Sequence, residues 1–246
     1  MHRILAALDT TLEAAKRAPA PPAPALLGRQ VAAVLLFVAA YIALAYWLGT
    51  KRHVDYYFEE GRAIDVLSAL FLVMAGSFAW VCFLLRRHDG DRGRWFWLLL
   101  AVGFLFVALD EMLEFHETFD EWLRDTWVGW PPLFRNWNDV IVIGYGVAGL
   151  ALLMRFRSEM LRLPRATALL GFGALFYGLH TGIDALVSGG PLKTVIEESA
   201  KLTATAFFAL AMLAAVMALL AALRGGRAIA PERGRRSIQA DPIAAG

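Results

Sequence analysis

Residues 95–122, "WFWLLLAVGFLFVALDEMLEFHETFDEW", begin as a membrane span and end as a run of acids. Fifteen uncharged residues, Trp95 to Leu109, come first. At about 1.5 Å per residue they would carry a helix roughly 22 Å into a bilayer. Asp110, Glu111, Glu114, His116 and Glu117 follow at once. Ionisable groups at such depth are costly and face a bundle interior or a wet cavity. The stretch therefore predicts an all-α membrane protein whose polar site lies off the midplane.

Composition agrees. The chain has 246 residues, is 59% hydrophobic and has a mean hydropathy of +0.53, above the usual balance of a soluble domain. A single cysteine, Cys82, lies in an apolar run and excludes an intrachain disulfide framework. Residues 1–28 read as an amphipathic arm followed by a Pro/Ala linker, not as a cleavable leader. The expected partners are membrane lipids. Nothing points to nucleic acid, and the oligomeric state stays open.

A bilayer core of about 30 Å needs roughly 20 helical residues. Six stretches meet or approach that length: Gln30 to Thr50, Val66 to Leu85, the stretch from Trp95, Trp137 to Met154, Ala166 to Ser188, and Lys201 to Leu223. The expected organisation is the arm and linker (1–28), a six-span transmembrane domain (29–224) and a disordered tail (225–246). Lysine and arginine number seventeen in the terminal segments and the 86–94 and 155–165 loops, against six in the alternate loops. The positive-inside rule then puts both termini in the cytoplasm and the acids on the outer-leaflet side, as in a bacterial inner-membrane protein.

Counted from the cytoplasmic ends, five spans deliver ionisable groups to one layer. Span three brings Asp110, Glu111, Glu114 and Glu117, and span four brings Asp139. Span five brings His180 and Asp184 with Tyr177 on the same face, Asp65 opens span two, and Lys201 opens span six behind Glu197 and Glu198. Helical phase puts Asp110, Glu114, Glu117 and Glu121 on one stripe. It turns His116 about 160° from Glu114 if the helix is regular. His180 is therefore the favoured ligand histidine and His116 a member of the wider cluster.

A buried salt-bridge network would account for part of this layer, and interfacial solvation for Glu117, Glu121, Glu197 and Glu198. The nearby bases are too few to neutralise the deeper acids. Protonation would relieve the excess, and so would a divalent ion. Mixed carboxylate and imidazole donors suit Zn, Mn or Fe. The expected metal set is His180, Asp184, Glu114, Glu117 and Asp139, with Glu114 and Asp110 as catalytic carboxylates. A G-x-G-x-x-G match at residues 144–149 lies inside a span with no preceding strand, so it fails the dinucleotide reading. Its glycines, with Gly171, Gly173 and Gly178, are expected to let helices approach closely.

In outline the chain resembles multipass membrane hydrolases related to alkaline ceramidases, in which histidines hold a zinc within a helical bundle. It departs from them in having six expected spans rather than seven, and only His116 and His180 within spans. The resemblance implies an intramembrane metal hydrolase. Three functions follow from the residues: a metal-dependent enzyme, such as a hydrolase, acting on a lipid or amphiphile; a cation- or proton-coupled transporter; and a non-catalytic subunit or sensor. Transporters place their sites near the midplane within repeated halves, which this pattern does not show.

Overall fold

The computed structural model describes residues 23–86, 93–128 and 137–224. Residues 1–22 of the expected arm and linker, and the expected tail, lie outside them; residues 23–28, expected to belong to the linker segment, are the start of the first helix. Among the described residues every regular element is helical: α1 (Ala23–Gly49), α2 (Ala63–Arg86), α3 (Gly93–Leu113), α4 (Phe115–Leu123), a π-helical turn (Arg124–Val128), α5 (Trp137–Arg155), α6 (Arg157–Leu161), α7 (Pro164–Leu186) and α8 (Pro191–Arg224).

Helices α2 and α8 form the centre. α3 packs on the flank of α2, α7 on the flank of α8, and α1 lies along α8. The seam is built from small residues: Ala69, Ala75 and Ala79 of α2, with Ala204, Ala206, Ala211 and Ala215 of α8, are all buried. In a lipid-facing bundle the attraction between helices comes from close packing, and small side chains permit it. At Gly76 a Cβ would lie 2.8 Å from the Leu105 side chain and 3.2 Å from the Ala101 carbonyl oxygen. At Gly173 it would lie 2.5 Å from the Phe208 ring and 3.2 Å from the Ala204 carbonyl oxygen. The close-approach role expected of the glycines thus holds for Gly173. It fails for Gly144, Gly146, Gly149, Gly171 and Gly178, where an added Cβ would meet nothing within 4 Å.

Five helices, α1 from Leu27 onward, α2, α3, α7 and α8, are long and apolar enough to cross a membrane. Their outer faces expose large apolar side chains such as Leu36, Val102 and Leu175, a surface suited to lipid. The expected sixth span is shorter. The apolar part of α5, Val140–Arg155, reaches about 24 Å at 1.5 Å per residue, less than the roughly 30 Å of a hydrocarbon core.

At the end of the bundle where α2 finishes, Arg86 is 1% exposed and donates to both carboxylate oxygens of Glu159 at 2.8 and 3.0 Å. Arg162 adds a contact to the same carboxylate at 2.9 Å. This ion pair ties α2 to the short helix α6 and closes that end. The opposite end, where α2 begins, is the polar one.

Candidate functional site

Asp110 stands near the end of α3, where the helix stops abruptly. Glu114 has φ 53 and ψ 40, the only positive-φ residue other than glycine among the described residues. A left-handed residue cannot continue an α-helix, so α3 ends at Leu113 and α4 restarts at Phe115 in a new direction. The turn brings His116 back onto Asp110. Its backbone N–H donates to Oδ1 at 3.0 Å, and its ring Nδ1 lies 2.9 Å from Oδ2. Asp110 is buried, and the Tyr145 hydroxyl of α5 donates to it as well. The regular-helix phase is corrected here: His116 turns towards Asp110, and Glu121 is exposed and leaves the stripe.

The geometry fixes the tautomer. A carboxylate only accepts, so Nδ1 carries the proton and Nε2 keeps its lone pair. Nε2 lies 3.9 Å from Glu117 Oε1, too far for a hydrogen bond. Burial opposes a charge on His116. The Asp110 hydrogen bond and the charges of Asp110, Glu117 and Glu111 outweigh that effect, so its pKa is raised. Glu117 is pushed up to about 7, first by burial, then by its hydrogen bond to Glu60 and the charge of that residue, with Glu114 adding to the rise and His116 opposing it.

Lys201 of α8 organises the next group. Its Nζ lies 2.9 Å from Asp65, 2.8 Å from Glu111 and 2.6 Å from Glu198. All four residues are largely shielded from solvent. The second oxygen of Asp65 accepts the Gly61 N–H at 2.8 Å, anchoring the loop before α2. A third group lies across α7 and α8, where Lys193 meets Asp184 and Glu197, each at 2.7 Å. His180 Nδ1 is 3.8 Å from the other oxygen of Glu197.

Residues of all three groups line one polar cavity that opens to the outside of the bundle. Of the sequence-expected residues, Asp65, Asp110, Glu111, Glu114, His116, Glu117, Tyr177, His180, Asp184, Glu197, Glu198 and Lys201 all border it. Glu114 is exposed at its rim. The backbone of Asp139 belongs to α5, and its side chain lies outside the described set. The expected metal set does not gather as one group: the carboxylates whose donor atoms approach His180 are those of Glu197 and Glu198, all within 4.8 Å of one another. A second group, His53, Asp55 and Glu59, sits on the loop after α1. There His53 is half-exposed and its Nδ1 is already 2.9 Å from Asp55.

Sequence reasoning missed Glu60, Asn138 and Thr181, which also line the cavity, and Lys193. Glu60 and Lys193 sit outside the apolar runs, where nothing but the fold brings them in. Asp120 was passed over too. It is buried, accepts the Trp137 N–H at 2.7 Å and meets Arg124 at 3.3 Å, joining α4 to the start of α5.

Fold and site together define a multipass membrane protein with a carboxylate and histidine cluster at one end of its bundle. The chain belongs to the family described as Domain of unknown function (DUF8692), whose model matches residues 10–216. Among curated proteins and solved structures, no match is found.

Proposed function

We propose that the chain is a membrane-embedded hydrolase that cleaves an ester- or amide-linked amphiphile at the membrane surface, with His116 as general base and Asp110 as its positioning partner. The observation that carries this reading is the part-buried Asp110–His116 pair: His116 lines a polar cavity, and its Nε2 has no hydrogen-bond partner among the described residues. A raised imidazole pKa suits a base working near neutral pH.

Nε2 takes a proton from water as the water oxygen adds to the substrate carbonyl carbon. The bond from that carbon to the leaving oxygen or nitrogen then breaks, and the same proton passes from Nε2 to the leaving group. Acid and alcohol, or acid and amine, are released. The apolar helix faces beside the cavity favour a substrate that keeps its chain in lipid. Transport is less well supported, because residues 66–85, 95–109, 140–154, 166–179 and 202–223 hold no Asp, Glu, Lys, Arg or His to carry an ion onward.

The same reading has α5 as a short sixth span, residues 29–224 as the membrane domain, both termini on the arginine-rich cytoplasmic side, and the cavity facing out of a bacterial inner membrane. Glu114 and Glu117 then border the entrance. The test is hydrolysis of ester-, amide- and phosphoester-linked amphiphiles in mixed micelles by the purified full chain. His116→Gln and Asp110→Asn should each lower the rate of ester or amide cleavage about 10²- to 10⁴-fold while each variant stays folded at the assay temperature. Rates unchanged in both variants, or no cleavage by the wild type, would overturn the proposal.

A further inference from the structure

The cavity has a second centre that this mechanism does not use. His180 of α7 is nearly buried, with 12% of its side chain exposed. Its Nδ1 is shut off from solvent and makes no hydrogen bond. A buried ring nitrogen without a partner carries an uncompensated desolvation cost. The groups facing it are carboxylates: Glu197 Oε1 is 3.8 Å from Nδ1, and donor oxygens of Glu197 and Glu198, successive residues on α8, lie within 4.8 Å of a His180 ring nitrogen and of each other.

The partners of those carboxylates hold them in position. Glu197 gives Oε2 to Lys193, while its Oε1 is the atom 3.8 Å from His180. Glu198 gives Oε2 to Lys201. Charge points the same way. Lys193 and Lys201 stand against four buried or nearly buried carboxylates, Asp65, Glu111, Glu197 and Glu198, and Lys193 is shared with Asp184 as well. With all five carboxylates ionised, three negative charges are left over, an excess that one divalent ion would largely offset.

We propose that His180, Glu197 and Glu198 form a binding site for one divalent metal ion, with an open position facing the cavity. One imidazole and two carboxylates without a thiolate suit Zn, Mn or Fe, and three protein ligands with a vacant position are the pattern of a catalytic rather than a structural centre. The ligand set is narrower than the sequence expectation. Asp184 is engaged by Lys193, and Glu114 and Glu117 lie beyond the α3 break. The inference rests on the hydrolase reading only for what the ion would do; the site itself stands on the geometry.

The experiment uses the full chain in detergent, stripped with chelator and reloaded with Mn²⁺ or Zn²⁺. Wild type and His116→Gln should each retain about one ion per chain. His180→Gln and Glu197→Gln/Glu198→Gln should retain less than a tenth of that. Pulsed electron paramagnetic resonance of the Mn²⁺-loaded wild type should show coupling to an imidazole nitrogen that is absent in His180→Gln. This reading on folded, loaded protein separates ligation from stability. A wild type that takes up no ion, or a His180→Gln protein that keeps both ion and nitrogen coupling, would overturn the site. Full hydrolysis by metal-free wild type would overturn a part for the ion in hydrolysis while leaving the general-base reading intact. A bound ion without hydrolysis would support the site and overturn the hydrolase reading.

Discussion

The two ends of the bundle bury charge in opposite ways. Where α2 finishes, one carboxylate, Glu159, receives two arginines, Arg86 and Arg162. Where α2 begins, Lys201 receives three carboxylates and the surrounding walls add more. The first arrangement joins two helices and closes on itself. The second leaves negative charge and a lone-pair nitrogen facing open space. Ionic groups within a fold thus do not by themselves mark a site; the sign of the imbalance, and whether a cavity adjoins it, separates the two ends.

Stability should expose that difference. Lys201→Met leaves Asp65, Glu111 and Glu198 facing one another without their shared cation, and should cost at least about 3–5 kcal/mol of unfolding free energy. Glu159→Gln should cost about as much or less and leave the hydrolysis rate unchanged. If Lys201→Met were as stable as wild type, the three-carboxylate cage would be wrong.

Packing gives a smaller contrast. Gly173→Ala drives a Cβ against the Phe208 ring, as described above, and should destabilise by about 1–3 kcal/mol. Gly171→Ala opens onto free space and should be neutral or gain up to about 1 kcal/mol from helix propensity. Equal effects in melting experiments would break the distinction between the two glycines.

The smallest effect is a pH dependence at the rim. Glu117 holds its proton up to about pH 7 in the folded chain, through burial first and Glu60 second, against a reference value of 4.5; His116 and Glu114 are the other charged groups facing it. Its folded-state pKa is raised, so its contribution is fully present below about pH 4.5 and is lost as the pH rises through 7. Wild type should therefore lose melting temperature between pH 5 and 8 more steeply than Glu117→Gln. Parallel curves would show that the Glu60–Glu117 pair does not share a proton.

Much of the architecture was legible in the sequence, because apolar runs and their polar punctuation follow from bilayer thickness. So was the layer of acids, since counting residues from one end of each span gives depth. What counting cannot give is a break in phase. A regular helix through Glu114 would turn His116 about 160° from that residue, and one left-handed residue breaks the helix there and brings His116 onto Asp110. Nothing about a glutamate signals that conformation; it favours glycine or asparagine. Periodicity puts Glu197 and Lys201 at i, i+4 on α8, whereas the pairs formed are Lys193 with Glu197 and Lys201 with Glu198; no periodicity could show the packing across helices that leaves His180 with Glu197 and Glu198 rather than with Asp184.

The break at Glu114 is the claim on which the general-base reading depends, and a double-mutant cycle on unfolding free energy tests it without a substrate. Asp110→Asn, His116→Gln and the double variant should show a coupling of about 1.5–3 kcal/mol, the range for a hydrogen bond to a charged group. Losses that simply add, with no coupling between the two positions, would mean that α3 continues unbroken and His116 never meets Asp110.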